Sequence, residues 1–501
     1  MRRTRSATPP PELQQALDWL AEPAGDDPLL DLVPLRKHVS ALASLDIPAA
    51  HRLKIDELLQ QRVDRVDQAL MPLLLDAKLP LPAPLATVAQ GLGDLRAELG
   101  ATWLRIAAAA KDAELKRIRR SKVQICLYGM FNLTRQFIAT QLAATPAPLN
   151  LWRNAQALYH LAHDAVDPES TLPVELGGID SRFKAMLALT AAQPECLAPR
   201  EIAFLADYLE AHAALVQIDP LPPAEAADWY WLDTGLDHPP VPLSRLQPYG
   251  ERYLYVRHGE LADRAGGHLE RLNDGVPPLS MGLPLQAAGA DYRNALERAR
   301  QCWATPRHRS FNRRRSQDLT VAVCTQLSSL WSELRGSAGG EPVATECALT
   351  YSDWMLLNES PSGYAIVHVV GEISGIVAGC AVGLRTTEGA EWQICLVRWA
   401  RSRADGHLEL GLEVLAPSAR PVRIQTLGTR KSEAQVPALL LPALPKLKRS
   451  EAILTARGDY NTRPFALLQE TSARLKVIEC RPQRTLVETS SVEVFEFARN
   501  A

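Results

Sequence analysis

Apolar residues recur at intervals of three and four over the first part of the chain. Ile55, Leu58, Leu59, Val63, Val66 and Leu70 form one such series. Leu85, Val88, Leu92, Leu95, Leu99, Trp103 and Ile106 form another. That spacing places each series on one face of an α-helix. Residues from about 12 to 218 read as helices, separated by proline-rich breaks at 80–84 and 146–148. Trp19, beside Leu17 and Leu20, reads as core of an N-terminal helix. The run Glu114, Lys116, Arg117, Arg119, Arg120 and Lys122 reads as a solvated helix face.

Pro220, Pro222 and Pro223 close this part, and the pattern changes. Between 228 and 275, runs such as Arg252-Tyr-Leu-Tyr-Val-Arg257 predict short strands, followed by a helix over about 287–303. From about 317 the period is two. Thr320–Val323, Tyr364–Val370 and Trp392–Trp399 read as strands. Leu408, Leu410, Leu412 and Val414 alternate with polar or small residues, the mark of a strand with one buried face. Leu327, Leu330, Trp331 and Leu334 insert one helix into this series. Four more strands are expected between 421 and 498, the first bracketed by Pro437 and Pro442 as at a sheet edge. The predicted fold is multidomain α+β. It has an α-helical module (1–220), a short β-rich connector with a linking helix (221–300), an antiparallel β-barrel (301–420) and a small C-terminal β-rich unit (421–501).

Composition changes this picture little. A chain of 501 residues suggests about three domains at ~150 residues each. Its net charge of -2 provides no global basic field for nucleic acid, so DNA is not an expected partner. An anionic ligand has to be held by a local basic cluster. The cysteines (126, 196, 302, 324, 347, 380, 395 and 480) form no CxxC pair or Cys/His group, and read as buried thiols. Pro9-Pro10-Pro11 stands where a signal peptide would place its apolar region, and no apolar run approaches ~20 residues. Cytoplasm without a membrane span is the expectation. No resident cofactor or metal is expected, and the sequence does not specify an oligomeric state.

The candidate chemistry lies at the start of the predicted barrel. Arg307, Arg309, Arg313, Arg314 and Arg315 fall within nine residues. Downstream, Asn358-Glu-Ser360-Pro-Ser-Gly363 opens a strand. Guanidinium forks bind phosphate, or the O6/N7 edge of guanine, through paired hydrogen bonds and stack on purine faces. The Asn amide and Ser hydroxyl match a base edge. Glycine lets backbone approach closely.

These residues resemble the PilZ domain family, whose pattern is R-x-x-x-R followed by [D/N]-x-S-x-x-G. Arg309 to Arg313 and Asn358, Ser360 and Gly363 carry the two halves. Leu396-Val-Arg-Trp399 and Leu410-Gly-Leu-Glu-Val414 resemble the family's closing strands. The resemblance covers roughly 305–420. It implies a barrel that binds cyclic-di-GMP on its outer face through Arg309, Arg313, Asn358, Ser360 and Gly363. Arg314 and Arg315 are further contact candidates. The gap from Arg313 to Asn358 is longer than the family's, and the helix near 326–335 is expected to fill it. The implied protein is a signalling receptor rather than an enzyme, with a protein partner for its helical module. A ligand-free adaptor is the alternative. A more remote one is enzymatic: Leu254-Tyr-Val-Arg257-His258-Gly259-Glu260 resembles the R-H-G start of histidine phosphatases. The segment reads instead as a strand ending in a turn.

Overall fold

The computed structural model describes residues 10–500, apart from 46, 118, 167–173, 247, 249–251, 307–313, 316–318, 338–350, 374, 404, 428–434, 459 and 472–473. Its first part is a stack of helices: α1 (Pro11–Ala21), α2 (Leu32–Ala43), α3 (Ala49–Leu75), α4 (Ala83–Ala109), α5 (Asp112–Arg117), α6 (Lys122–Leu142), α7 (Leu151–Asp164), α8 (Val174–Ala191) and α9 (Pro199–His212). The two apolar series face the core. Leu59, Val63, Val66 and Leu70 on α3 are buried, as are Leu92, Leu95, Leu99 and Trp103 on α4. Leu58 departs from its series and is exposed, because the position before Leu59 is rotated off the stripe. Ser121 starts α6 with a capping box closed by Gln124. Arg96, 1% exposed, crosses the core to Asp64, Asp67 and Asn132, so a buried charge has its counter-charges in place.

The next segment differs from the expected short connector. Strands β1 (Gln217–Asp219), β2 (Trp229–Asp233), β3 (Val241–Pro242) and β4 (Tyr253–Arg257) form a sheet in the order β1-β4-β2-β3. Helix α10 (Gly259–Asn273) then occupies residues that were read as strands and turns. Leu261, Ala265, Leu269 and Leu272 give it a helical stripe, which packs into the core of the preceding helices together with α11 (Ala290–Ala304). The R-H-G segment is therefore a strand-to-helix junction rather than a strand ending in a free turn.

The rest of the chain forms two closed antiparallel barrels. The first contains β5 (Arg314–Arg315), β6 (Thr320–Cys324), α12 (Leu327–Ser337), β7 (Tyr351–Ser360), β8 (Gly363–Val370), β9 (Ala381–Arg385), β10 (Gln393–Ser402) and β11 (Leu408–Ala416). It closes as β6-β7-β8-β11-β10-β9, with β5 continuing the line of β6 along β7. The second contains β12 (Arg420–Thr426), β13 (Val436–Leu441), β14 (Ala452–Ala456), β15 (Phe465–Thr471), β16 (Arg474–Glu488) and β17 (Val492–Arg499). It closes as β12-β13-β14-β17-β16-β15. With strands numbered within each barrel, both have the order 1-2-3-6-5-4. The C-terminal unit is thus a complete barrel. The edge expected at Pro437 does not exist, since β13 pairs on both sides and a closed barrel has no edge. Pro437 lies at the second residue of its strand, where one missing N–H is tolerated.

Helix α12 lies between the barrels. Its Leu330 and Trp331 join Ile394 and Leu396 of the first barrel and Leu439, Leu454 and Val494 of the second in one apolar cluster. Trp331 Nε1 donates to Val422 O at 2.8 Å. The described contacts of the helices with the first barrel include a cluster at one end. Leu79 and Ile376 exchange backbone hydrogen bonds of 2.8 and 3.1 Å, and the Leu79 side chain enters the barrel core. Ser402 N donates to Ala144 O at 2.7 Å. Strand direction places the β7–β8 turn at the other end, one strand length away, roughly 25 Å at ~3.3 Å per residue.

Candidate ligand-binding site

The β7–β8 hairpin holds the Asn-x-Ser-x-x-Gly residues. Ser360 ends β7, Gly363 starts β8 and the two pair directly. Ser360 Oγ donates to Gly363 O at 3.2 Å and lies 3.4 Å from Ser362 Oγ, so in this state the hydroxyl closes the turn. Gly363 is required by packing. A Cβ there would lie 1.9 Å from Leu412 O of the neighbouring strand. Among the described residues Asn358 has no side-chain hydrogen-bond partner, and it is half-buried.

Two of the arginines are brought to this hairpin. Arg315 pairs with Asn358 and Arg314 with Glu359. Both side chains are exposed, and among the described residues neither guanidinium has an ion-pair or hydrogen-bond partner. Arg307, Arg309 and Arg313 lie outside the described residues.

The register extends this site in a direction the sequence reading did not take. Arg315 faces Asn358, Asn358 faces Ala365, Ala365 faces Gly411 and Gly411 faces Trp399. Directly opposed residues share a face. The row therefore crosses β5, β7, β8, β11 and β10 on the outside of the barrel, away from the inward Leu356, Ile366 and Leu410. Two bulges set it. Leu357 is the extra residue on β7 and Arg398 the extra residue on β10. Trp399 folds over Gly411, where a Cβ would meet indole Nε1 at 1.9 Å. The Arg401 guanidinium sits 5.2 Å from the Trp399 ring and pairs with Glu409 at 2.7 Å. These contacts also correct the expectation that β11 has one buried face, since Glu409 and Gly411 are covered from outside. The result is a row whose small residues, Ala365 and Gly411, are buried beneath the surface between a half-buried Trp399 and the exposed Arg314 and Arg315. That geometry suits a planar, anionic ligand.

Trp399 and Gly411 were visible as strand residues, but nothing in one strand indicates which residues four others place beside it. The rival R-H-G segment makes no site. His258 is fully buried, both its ring nitrogens lack partners among the described residues, and burial pushes it down to about 3. No cleft reaches it among the described cavities. Among the described residues, no group of His, Cys, Asp and Glu is placed to hold a metal, and no helix is long and apolar enough to cross a membrane.

Two families match the chain. The one described as "Cyclic-di-GMP receptor FimW, N-terminal domain" matches residues 14–224. The one described as "Cyclic-di-GMP receptor FimW, middle PilZ domain" matches residues 341–421. The chain contains a PilZ domain. The matched span includes Asn358, Ser360, Gly363, Trp399 and Gly411, and begins after the arginines. Among curated proteins, "Cyclic-di-GMP receptor FimW" of Pseudomonas aeruginosa is 36% identical over 118 residues, which is 23% of this chain and 19% of that protein. The match thus spans about a fifth of the relative's length. No solved structure matches. The first barrel is the PilZ barrel. α12 lies in the long gap between the arginines and the hairpin, and joins this barrel to the second.

Proposed function

We propose that the protein is a cyclic-di-GMP receptor acting in the cytoplasm, with its ligand on the outer face of the PilZ barrel. The observation that carries this reading is the pairing of Arg315 with Asn358, which places exposed guanidiniums beside the Asn-x-Ser hairpin at one end of the Trp399 row. Arg309, Arg313, Arg314 and Arg315 would supply the phosphate and guanine contacts. Asn358 would read a base edge, Gly363 admits close backbone approach, and Trp399 offers a stacking surface. Ser360 would turn its hydroxyl from the hairpin to the ligand. We read the chain as four units with borders near 220, 300 and 420, the second packed into the core of the first.

The same geometry supports a coupling route. The helices touch the PilZ barrel at the end remote from the hairpin, whereas the chain from α11 runs directly into the arginine segment. Trp303, near the end of α11, is buried and donates to Ala188 O of α8 at 2.8 Å. A ligand that fixes Arg309–Arg315 would therefore act on α11, and through it on the helical module that meets a protein partner. Hydrogen exchange across 290–306 with and without cyclic-di-GMP tests this. Slower exchange on binding supports the route, and unchanged exchange at saturation removes it. The ligand itself is tested by calorimetric titration of the full chain with cyclic-di-GMP, using GTP and cyclic-di-AMP as controls.

A further inference from the structure

The helical module contains a cavity that the PilZ site does not use. It measures about 410 Å³ and lies between α6, α8 and α9. Phe137, Ile138, Met186, Leu189 and Leu209 make its walls apolar. Gly177 opens one side, since a Cβ there would meet nothing within 4 Å. The size is in the range of small-molecule sites.

Arg182 lines the same space. Its guanidinium stacks 4.9 Å from the Phe131 ring centroid, and among the described residues no hydrogen-bond or ion-pair partner reaches it. Burial pushes its pKa down, opposed by Glu210. Glu210 on α9 is exposed and makes no ion pair with it, Asp207 is also exposed, and Arg135 is already held by Asp67 at 2.7 Å. A half-buried guanidinium without a protein acceptor has lost part of its hydration at some cost, while its nitrogens stay open enough to receive a ligand. An oxyanion at this position would offset that cost, and the apolar walls would take the rest of the molecule.

We propose that this cavity binds a small amphiphile with an apolar body and a single carboxylate or phosphate head, the head on Arg182. The test displaces 1-anilinonaphthalene-8-sulfonate from the full-length protein with decanoate, decyl phosphate and decanol. The two anions are expected to compete at least about tenfold better than decanol, the effect of a charge-assisted hydrogen bond. Their relative potency identifies the head. Arg182→Met should remove that advantage and leave decanol unchanged. Gly177→Leu, which fills the open side, should weaken all three. Equal competition by decanol in the wild type would overturn the proposal, as would an anion advantage that survives in Arg182→Met. The Arg182→Met comparison decides the matter even if Gly177→Leu does not fold.

Discussion

The two barrels share one strand order and use the same face differently. In the PilZ barrel the outer face of strands 2, 3, 6 and 5 carries Asn358, Ala365, Gly411 and Trp399, and Arg315 borders it. In the second barrel the equivalent row is Leu439, Leu454, Val494 and Val487. Leu439, Leu454 and Val494 are buried, and the whole row packs in the cluster that joins the barrels through α12. The second barrel has no lead strand of arginines. Its strand 2–3 connection is Pro442–Glu451 instead of a tight hairpin, its β17 has no glycine and its β16 no aromatic residue. A closed barrel is thus a scaffold whose outer row sets its surroundings: in the first barrel small residues under Trp399 with exposed arginines at the border, in the second apolar residues covered by packing.

The largest effect should come from converting one use into the other. Leu454→Asp places an unpaired charge between the barrels and should cost about 3–5 kcal/mol of stability, read by chemical denaturation. A loss below ~1 kcal/mol would mean that the contact between barrels is not a packed core. Next, Gly363→Val drives a side chain into Leu412 O and should abolish cyclic-di-GMP binding while the second barrel stays folded. Arg315→Ala should weaken the ligand by roughly 10- to 100-fold, the range of a charge-assisted contact of about 1.5–3 kcal/mol, with Lys448→Ala on the second barrel's loop as the unaffected control. Trp399→Ala removes the aromatic end of the row and should cost about 1–3 kcal/mol in affinity, as for loss of one stacked base.

The last effect concerns neither barrel face. His258, held down to about 3, stays neutral in the fold but charges in the unfolded chain below its ordinary value of 6.5. The unfolded state then binds more protons, so this group's stability is complete above about 6.5 and falls as the pH drops towards 3. Its slope is at most about 1.4 kcal/mol per pH unit. Asp56, raised to about 6 by burial, acts in the opposite direction, with stability lost as pH rises from 3.8 towards 6. The comparison of His258→Leu with wild type isolates the histidine. The variant should lose less stability between pH 6.5 and 4.5.

Much of this was legible in the sequence for local reasons. The α3 and α4 stripes follow from 3.6-residue periodicity alone, and α12 from Leu327, Leu330, Trp331 and Leu334. The Asn358–Gly363 hairpin and the arginines were visible because they are adjacent in sequence. Closure of the second barrel was not, since β12 meets β15 and β14 meets β17 across long stretches of chain. The Trp399 row was hidden for a related reason. It depends on registers set by single-residue bulges at Leu357 and Arg398, which leave no pattern in one sequence. Helix α10 was missed because aromatic runs just before it suggested that strands continued, although its own apolar spacing is helical.

The central claim is that the ligand sits on the outer row of the PilZ barrel and not on the second. Titration of the full chain with cyclic-di-GMP, for wild type, Arg315→Ala and Lys448→Ala, tests it most directly. Selective binding by wild type and Lys448→Ala, at least about tenfold weaker in Arg315→Ala, is the predicted result. Binding that survives in Arg315→Ala and fails in Lys448→Ala, or no binding by a folded wild-type chain, would contradict it.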